Sequence, residues 1–140
     1  MDRPVSSIIE DQPPVTATAE MTVAAASRLM KAKRIGAILV VENERLAGIF
    51  TERDALFRVI AAARDPATTR MADVMTLHPQ TIHPDEPFLH AMRVMHKGGF
   101  RHLPVVEDGR PLGVVSARDA LDDDLYELRV DLSQREDMRD

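Results

Sequence analysis

An internal repeat constrains this chain more than any other feature of its sequence. A shift of 65 residues aligns residues 14–56 with residues 79–121 without a gap. Identical residues recur at equivalent positions, most clearly in the pair Arg53-Asp54-Ala55-Leu56 and Arg118-Asp119-Ala120-Leu121. Self-similarity at a fixed period is the signature of a repeated supersecondary unit. The chain therefore contains two copies of one unit, which we expect to be related by a pseudo-twofold axis.

Each copy opens with a short extended segment that is followed by an amphipathic helix. In the second copy, apolar residues recur at the helical spacing i, i+3, i+4 and i+7: Phe88, Ala91, Met92 and Met95. We expect Asp85 to cap this helix, Pro87 to lie in its first turn and Gly98-Gly99 to end it.

Two short strands and a second helix complete each copy. The strands are predicted at residues 37–41 and 47–50, and again at 102–106 and 112–115. Four-residue links, 43–46 and 108–111, are expected between them, and the second link contains the hairpin dipeptide Asp-Gly. The second helix is predicted to begin at Thr51 and at Ser116. Each unit is thus β-α-β-β-α.

These elements predict a mixed α/β fold of the α+β kind, with two β-α-β-β-α units. About 60 residues is marginal for an independent core, so the two units should share an interface. We expect residues 1–64 to form the first unit with an N-terminal arm and residues 65–125 the second. Residues 126–140 form a charged C-terminal tail, and the sequence allows either a helix on a partner or a frayed end.

Composition excludes several function classes. A net charge of −5 and an aromatic content of 4% argue against a nucleic-acid-binding surface. The absence of cysteine excludes disulfides and thiolate chemistry. The longest apolar run, from Ile35 to Val41, is far shorter than the roughly 20 residues of a membrane span. Without a signal sequence at its start, the chain is expected to be cytoplasmic.

One motif occurs at the strand-to-helix junction of both copies. It reads Gly48-Ile49-Phe50-Thr51-Glu52-Arg53-Asp54 and Gly113-Val114-Val115-Ser116-Ala117-Arg118-Asp119. A hydroxyl residue followed three positions later by an acid is typical of a helix cap, which is a purely structural role. The same place is also suited to a phosphate, because a helix N-terminus presents free N–H groups.

The two copies resemble a tandem pair of cystathionine-β-synthase (CBS) domains, the arrangement known as a Bateman module. The Gly-apolar-apolar-Thr/Ser-x-x-Asp motif is the signature of that family. Further resemblance lies in Asp73-Val74-Met75-Thr76 and in Leu103-Pro104-Val105-Val106. The resemblance covers residues 5–125 and implies a stand-alone CBS-domain protein.

The resemblance implies that an adenosine-containing ligand binds in clefts between the units. It assigns the ribose to Asp54 and Asp119, with the hydroxyls of Thr51 and Ser116 facing ribose or phosphate. Apolar residues of the motif, Ile49 and Val114, would line the adenine. The opening segment of the opposite unit would complete each adenine pocket, through Val15-Thr16 and Gln80-Thr81.

For the phosphates, the resemblance implies the residues that precede the second unit's strand, Arg101 and His102. The first copy carries Gly36 and Ala37 there, without a basic side chain, so the Asp119 cleft is expected to be the better phosphate site. Ile35 and Gly36 are further candidates for nucleotide binding. Arg53 and Arg118 could compensate from the helix starts. Exposed salt bridging is their alternative role.

Other chemistry finds little support in the sequence. Five histidines lie in the second copy, but His90 and His96 are six residues apart and do not share a helical face. We expect no metal site, no catalytic constellation and no required cofactor.

The favoured function is a non-enzymatic regulatory module. AMP, ADP or ATP would be its regulatory ligand, and it would form a homodimer and relay binding to a separate target protein. No nucleic-acid or membrane partner is expected. A dimeric protein–protein scaffold with vestigial clefts is the alternative.

Overall fold

The computed structural model describes residues 1–137, so the last three residues of the expected tail, 138–140, lie outside the described residues. The first half contains α1 (Val5–Ile8), β1 (Thr16–Ala17), α2 (Val23–Lys33), β2 (Ala37–Glu42), β3 (Arg45–Thr51) and α3 (Glu52–Asp54), which continues as a π-helix (Ala55–Ile60). The second half contains α4 (Met71–Val74), β4 (Thr76–Leu77), α5 (Phe88–Gly98), β5 (His102–Glu107), β6 (Arg110–Ser116) and α6 (Arg118–Asp137).

The strands form one sheet in each unit. In the first unit the strand order is β1-β2-β3-β4, with β1 parallel to β2 and the other pairs antiparallel. In the second unit β5 pairs with β6, and Ile82 makes a parallel bridge to Val105 in place of a full opening strand. The β-α-β-β-α order predicted from the repeat is confirmed.

The hairpin links are shorter than the sequence predicted. Each turn has two residues, Asn43-Glu44 and Asp108-Gly109, and the expected four-residue links are wrong. All four turn residues have positive φ, between 52° and 81°. Positive φ at both central positions defines the type I′ turn, which matches the right-handed twist of the flanking strands. The strands therefore extend closer to the turn than expected.

Helix α5 begins differently from the prediction. Pro87 is the N-cap residue, and the expected cap by Asp85 is wrong because Asp85 lies two residues further upstream. The first amides of α5 instead donate to the N-terminal arm: the Phe88 N–H to the Arg3 carbonyl at 2.8 Å and the Leu89 N–H to the Met1 carbonyl at 3.0 Å. Gly99, in the left-handed conformation at φ 72°, ends the helix as predicted.

Two hydrophobic cores show where the N-terminal arm and α4 pack. The first core consists of Ala17, Val23, Ala26, Met30, Ile38, Val40, Phe50, Val59, Met71 and Val74. The second consists of Val5, Ile9, Ile82, Phe88, Ala91, Met95, Leu103, Val105 and Val115. The arm thus packs on the second unit, and α4 packs on the first. The predicted boundary between the two units, at residues 64 and 65, is based on the order of the sequence and stays a prediction.

A third apolar cluster connects the units. Ala37, Leu39 and Ile49 of the first unit pack with Leu46 and with Val114 of the second. The hairpin turns also meet, because the Leu46 N–H donates to the Gly109 carbonyl at 2.9 Å. The shared interface expected from the small size of each unit is therefore present, and it places the two β3–α3 and β6–α6 junctions beside the opposite unit.

Helix α6 continues from the second unit through the expected tail. It is 20 residues long and is helical to Asp137. Within the described part of the chain, no helix combines the length and apolar character needed to cross a membrane.

Candidate functional site

The signature motif of the first unit forms a capping box at the start of α3. The Thr51 N–H and hydroxyl both donate to Asp54 Oδ2, at 2.9 and 3.1 Å. In return the Asp54 N–H donates to Thr51 Oγ1 at 3.2 Å. The capping role expected from the spacing is confirmed, and it uses one carboxylate oxygen of Asp54.

The signature motif of the second unit repeats part of this arrangement. Asp119 Oδ2 accepts the Ser116 N–H at 2.7 Å and the Ser116 hydroxyl at 3.4 Å. Burial raises the pKa of Asp119 above its ordinary value, while the Ser116 amide opposes this shift. The carboxylate therefore carries an unfavourable desolvation that further hydrogen-bond donors to its charged form would relieve.

The second carboxylate oxygens of the two motifs differ in their surroundings. Asp54 Oδ1 lies 3.5 Å from the guanidinium of Arg58, one helical turn further on. The equivalent position of the second copy is Asp123, which cannot pair with Asp119. Asp123 instead contacts the N-terminal arm, at 3.1 Å from Arg3 Nη1 and 3.1 Å from the Met1 amino group. Asp54 is thus held by an internal cation, whereas Asp119 has no such arginine one turn on.

Gly36 of the first unit lies close to His102 of the second. A Cβ at Gly36 would lie 3.0 Å from His102 Nε2 and 3.1 Å from Glu52 Oε1. The absence of a side chain at Gly36 therefore lets His102 of the second unit approach Glu52 of the first. His102 also lies near Asp119, since the charges of Glu52 and Asp119 both act on it.

Burial lowers the pKa of His102 below its ordinary value of 6.5, although Glu52 and Asp119 oppose the shift. The imidazole is therefore neutral near pH 7. Without a ligand it offers a hydrogen bond rather than the positive charge that the resemblance implied for a phosphate clamp.

The structure places the remaining site residues in three groups. Ile49 and Val114 lie together in the apolar cluster between the units. Arg101 and Arg118 are exposed, and Ile35 is half-buried beside the first core. Arg53 is exposed too, but it donates to the Gly99 carbonyl of the other unit at 3.3 Å and lies over the Phe57 ring, 5.3 Å from its centroid. The salt bridging weighed for Arg53 is thus replaced by contacts to a carbonyl and a ring.

The opening segments lie along their own units. The Val15 carbonyl accepts the Leu39 N–H at 3.1 Å, and Thr16 pairs in register with Leu39. Gln80 and Thr81 are exposed and directly precede the Ile82 bridge. Their expected role in the adenine pocket of the opposite unit stays a prediction.

Sequence reasoning overlooked Glu52, Arg58 and Asp123. The repeat itself held the signal for two of them, because Arg58 and Asp123 occupy equivalent positions with opposite charge. Glu52 could not be placed near His102 without the packing of the units. No group of three or more metal-ligating side chains comes together among residues 1–137.

A separate cavity of about 510 Å³ lies at the hairpin turns, lined by Arg45, Glu107, Asp108, Arg110 and Leu112. It is at the opposite end of β5 and β6 from His102 and Ser116. Its lining mixes two arginines with two acids, so its charge favours neither anions nor cations.

Comparison with known proteins identifies the family to which the two copies belong. The family model of the CBS domain matches residues 5–61 and again residues 71–125. The chain belongs to the CBS-domain family. Stand-alone CBS-domain proteins are in general regulatory.

Relatives of this CBS pair include the CBS domain-containing protein CBSX3, mitochondrial, of Arabidopsis thaliana, with 35% identity over 122 residues. That alignment covers 84% of this chain and 59% of CBSX3, so the chain spans little more than half of the plant protein.

Two solved structures share the fold of this CBS pair. A signal-transduction protein with CBS domains from Burkholderia ambifaria is 32% identical with a TM-score of 0.82, over 89% of this chain and 95% of that one. The CBS domain pair of protein MJ0100 was solved in complex with 5′-methylthioadenosine and S-adenosyl-L-methionine. It is 28% identical with a TM-score of 0.76, over 84% of this chain and 96% of that one.

Proposed function

We propose that this CBS pair is a regulatory module that binds one adenosine-containing ligand in the cleft beside Asp119. The observation that carries the proposal is the desolvated Asp119 carboxylate at the junction of the two units, with no arginine paired to it one turn on. AMP, ADP and ATP are the first candidates for the ligand. The adenosyl compounds bound by the MJ0100 pair support the ligand class.

The ribose provides the chemical reason for this assignment. A cis-diol donates two hydrogen bonds, and a carboxylate that already accepts from Ser116 through Oδ2 keeps further lone pairs on Oδ1. Hydrogen bonds to a charged group contribute about 1.5–3 kcal/mol each. The apolar pair Ile49 and Val114 supplies a surface for a flat base beside the junction. The base would therefore contact both units, whereas the ribose would contact Asp119 of the second.

The Asp54 cleft is proposed to be the weaker of the two. Arg58 Nε lies 3.5 Å from Asp54 Oδ1, the oxygen that a ribose would need. Arg58 Nη1 also donates to the Val74 and Met75 carbonyls, at 3.2 and 3.3 Å. A ligand would have to displace a side chain that is held at three points. Because the Asp54 cleft is the weaker, we expect one ligand per chain, bound in the Asp119 cleft.

Binding at the Asp119 cleft would act on the angle between the units. The proposed cleft would take Gly36 and Glu52 from the first unit and His102 and Asp119 from the second, so a ligand bound there would contact both. A ligand shifts a conformational equilibrium only by its difference in affinity for the two states. We propose that this shift is read by a separate target protein in the cytoplasm, without chemistry on the ligand.

The test is calorimetric titration and thermal unfolding of the wild type and Asp119→Ala with AMP, ADP, ATP, S-adenosylmethionine and NAD. We expect saturable binding of an adenosyl compound and a loss of at least tenfold in affinity in the variant, since about 1.4 kcal/mol corresponds to tenfold. Failure of every compound to bind the wild type would overturn the proposal.

A dimeric scaffold with vestigial clefts is the second candidate function. The internal ion pair at Asp54 favours it, because one of the two clefts already has its carboxylate engaged. Stabilisation by an adenosyl compound separates the two functions, since a scaffold with vestigial clefts would show none.

A further inference from the structure

Glu52 is an acidic side chain of the first unit that faces His102 of the second. The Glu52 N–H donates to the Gly36 carbonyl at 2.9 Å, which fixes the start of α3 beside Gly36. A Cβ at Gly36 would lie 3.1 Å from Glu52 Oε1 and 3.0 Å from His102 Nε2. The carboxylate and the imidazole therefore approach one point from different units.

The Glu52 carboxylate is not neutralised by the fold. Its side chain is exposed, and among residues 1–137 nothing forms a hydrogen bond or a salt bridge with the carboxylate. The adjacent arginine, Arg53, donates to the Gly99 carbonyl at 3.3 Å instead. The negative charge of Glu52 is thus available to act on a group that comes close to His102.

The repeat shows that the acid is not needed to start the helix. The equivalent residue of the second copy is Ala117, whose N–H donates to the Arg101 carbonyl at 3.0 Å. This contact is the counterpart of the one between Glu52 and Gly36. Since alanine supports the same backbone geometry, the carboxylate of Glu52 is free to serve another purpose, and only one of the two junctions carries it.

The charges around His102 are predominantly negative. Glu52 and Asp119 favour its protonated form, and Arg101 opposes them. Burial keeps the imidazole neutral, so it does not offset the two carboxylates. Arg101 is exposed to solvent, which screens its charge. A ligand group that reaches His102 therefore meets repulsion if it is anionic and attraction if it is cationic.

We infer that Glu52 sets the charge selectivity of the Asp119 cleft. It weakens the binding of adenosyl ligands in proportion to the negative charge on the group at the 5′ carbon, and it favours a cationic group there. Among the phosphorylated candidates, AMP is thereby preferred to ADP and ATP. A repulsive charge placed against the wrong ligand is a general route to specificity. The inference rests on the proposed function and narrows its ligand class.

Calorimetric competition with ligands of different charge tests this inference. The probes are 5′-methylthioadenosine, which is neutral, AMP and ATP, which are anionic, and S-adenosylmethionine, which carries a sulfonium at the 5′ position. Each is measured with the wild type and with Glu52→Gln. The matched control is Glu42→Gln, which removes the same charge from an exposed position at the opposite end of β2 from Gly36.

The expected result is a change in relative affinity that follows the charge of the ligand. In Glu52→Gln, the affinity for AMP relative to methylthioadenosine should rise at least about threefold, and that for ATP should rise more, because Coulomb repulsion grows with charge. The relative affinity for S-adenosylmethionine should fall. Glu42→Gln should leave all these ratios as in the wild type.

Two outcomes would overturn the inference in distinguishable ways. If the wild type binds an adenosyl compound but Glu52→Gln keeps its affinity ratios, charge selectivity by Glu52 is wrong and the proposed function stands. If no probe binds the wild type or the variant, the proposed function itself fails, and the inference fails with it.

A measurement without ligand tests the contact on which the inference depends. The pKa of His102, followed by NMR titration with His102→Gln to assign its signals, should be lower in Glu52→Gln than in the wild type, because the Glu52 charge favours the imidazolium. Glu42→Gln should leave the pKa of His102 unchanged. An unchanged pKa in a Glu52→Gln protein that is folded by circular dichroism would show that Glu52 does not act at this place.

Discussion

At the scale of single residues, the two copies differ most in what accompanies the signature aspartate. The repeat conserves the capping geometry around Thr51 and Ser116, yet it places Arg58 in one copy and Asp123 in the other. Arg58 pairs with Asp54, and the opposite charge at the equivalent position is the reason why we propose Asp119 as the carboxylate that a ligand contacts. The same capping motif is present in both units, and the proposed binding site uses only the copy in the second.

His102 gives the protein a defined pH response. Its lowered pKa means that the unfolded chain binds a proton more readily than the folded chain below about pH 6.5, so the free energy of unfolding falls as the pH decreases through that range. Glu52, Asp119 and Arg101 are the charged groups that act on the imidazole.

The variant His102→Gln is expected to lose less stability than the wild type between pH 7 and pH 5. Urea unfolding at several pH values measures this difference. His96→Gln, exposed on α5, serves as the matched control. If His102→Gln and His96→Gln both lost as much free energy of unfolding as the wild type between pH 7 and pH 5, this account of His102 would be contradicted.

At the scale of elements, the packing of the N-terminal arm on the second core could not be predicted from the arm's position in the sequence. Val5 is fully buried in the second core, and the arm's carbonyls accept the first amides of α5. The arm therefore stabilises the unit that carries Asp119, although it precedes the other unit in the chain.

Val5→Ala is expected to lower the free energy of unfolding by about 2 kcal/mol, because it leaves a cavity in the second core. Denaturant unfolding measures this change. Ser6→Ala, on the exposed side of the same short helix, should stay within about 0.5 kcal/mol of the wild type. Equal effects of the two substitutions would show that the arm is not part of the core.

The sequence predicted the elements better than their packing. Periodicity at Phe88, Ala91 and Met95 and the Gly-to-Asp motif are local signals, and both led to elements that the structure contains. The arm on the second core and α4 on the first are contacts between distant segments, which local patterns do not encode. The turn length was wrong in both copies, because the prediction assigned to the turns the residues Arg45-Leu46 and Arg110-Pro111, which begin β3 and β6.

In the candidate site, too, residues that are contiguous in sequence were predicted and contacts between distant segments were not. Asp119 and Ser116 follow from a motif that is contiguous in sequence, whereas the approach of Glu52 to His102 depends on Gly36 and on the interface between units. The neutral state of His102 results from burial, which no spacing of residues could indicate.

At the scale of the whole molecule, the two units are related by a pseudo-twofold axis but are not equivalent. The first unit exposes an apolar face beside arginines, and the second exposes one beside aspartates on a longer helix. The proposed ligand cleft reflects the same inequality, because Arg58 pairs with Asp54 and Asp123 stands at the equivalent position of the second copy.

The most direct test of the central claim compares Asp119→Ala with Asp54→Ala by calorimetric titration with the adenosyl ligand that binds the wild type. Both substitutions remove a carboxylate that accepts hydrogen bonds at a helix start, so each should cost about 1 kcal/mol of stability. We predict one ligand per wild-type chain, near-normal affinity in Asp54→Ala and at least tenfold weaker binding in Asp119→Ala. Equal losses in the two variants, or a loss confined to Asp54→Ala, would contradict the assignment of the ligand to the Asp119 cleft.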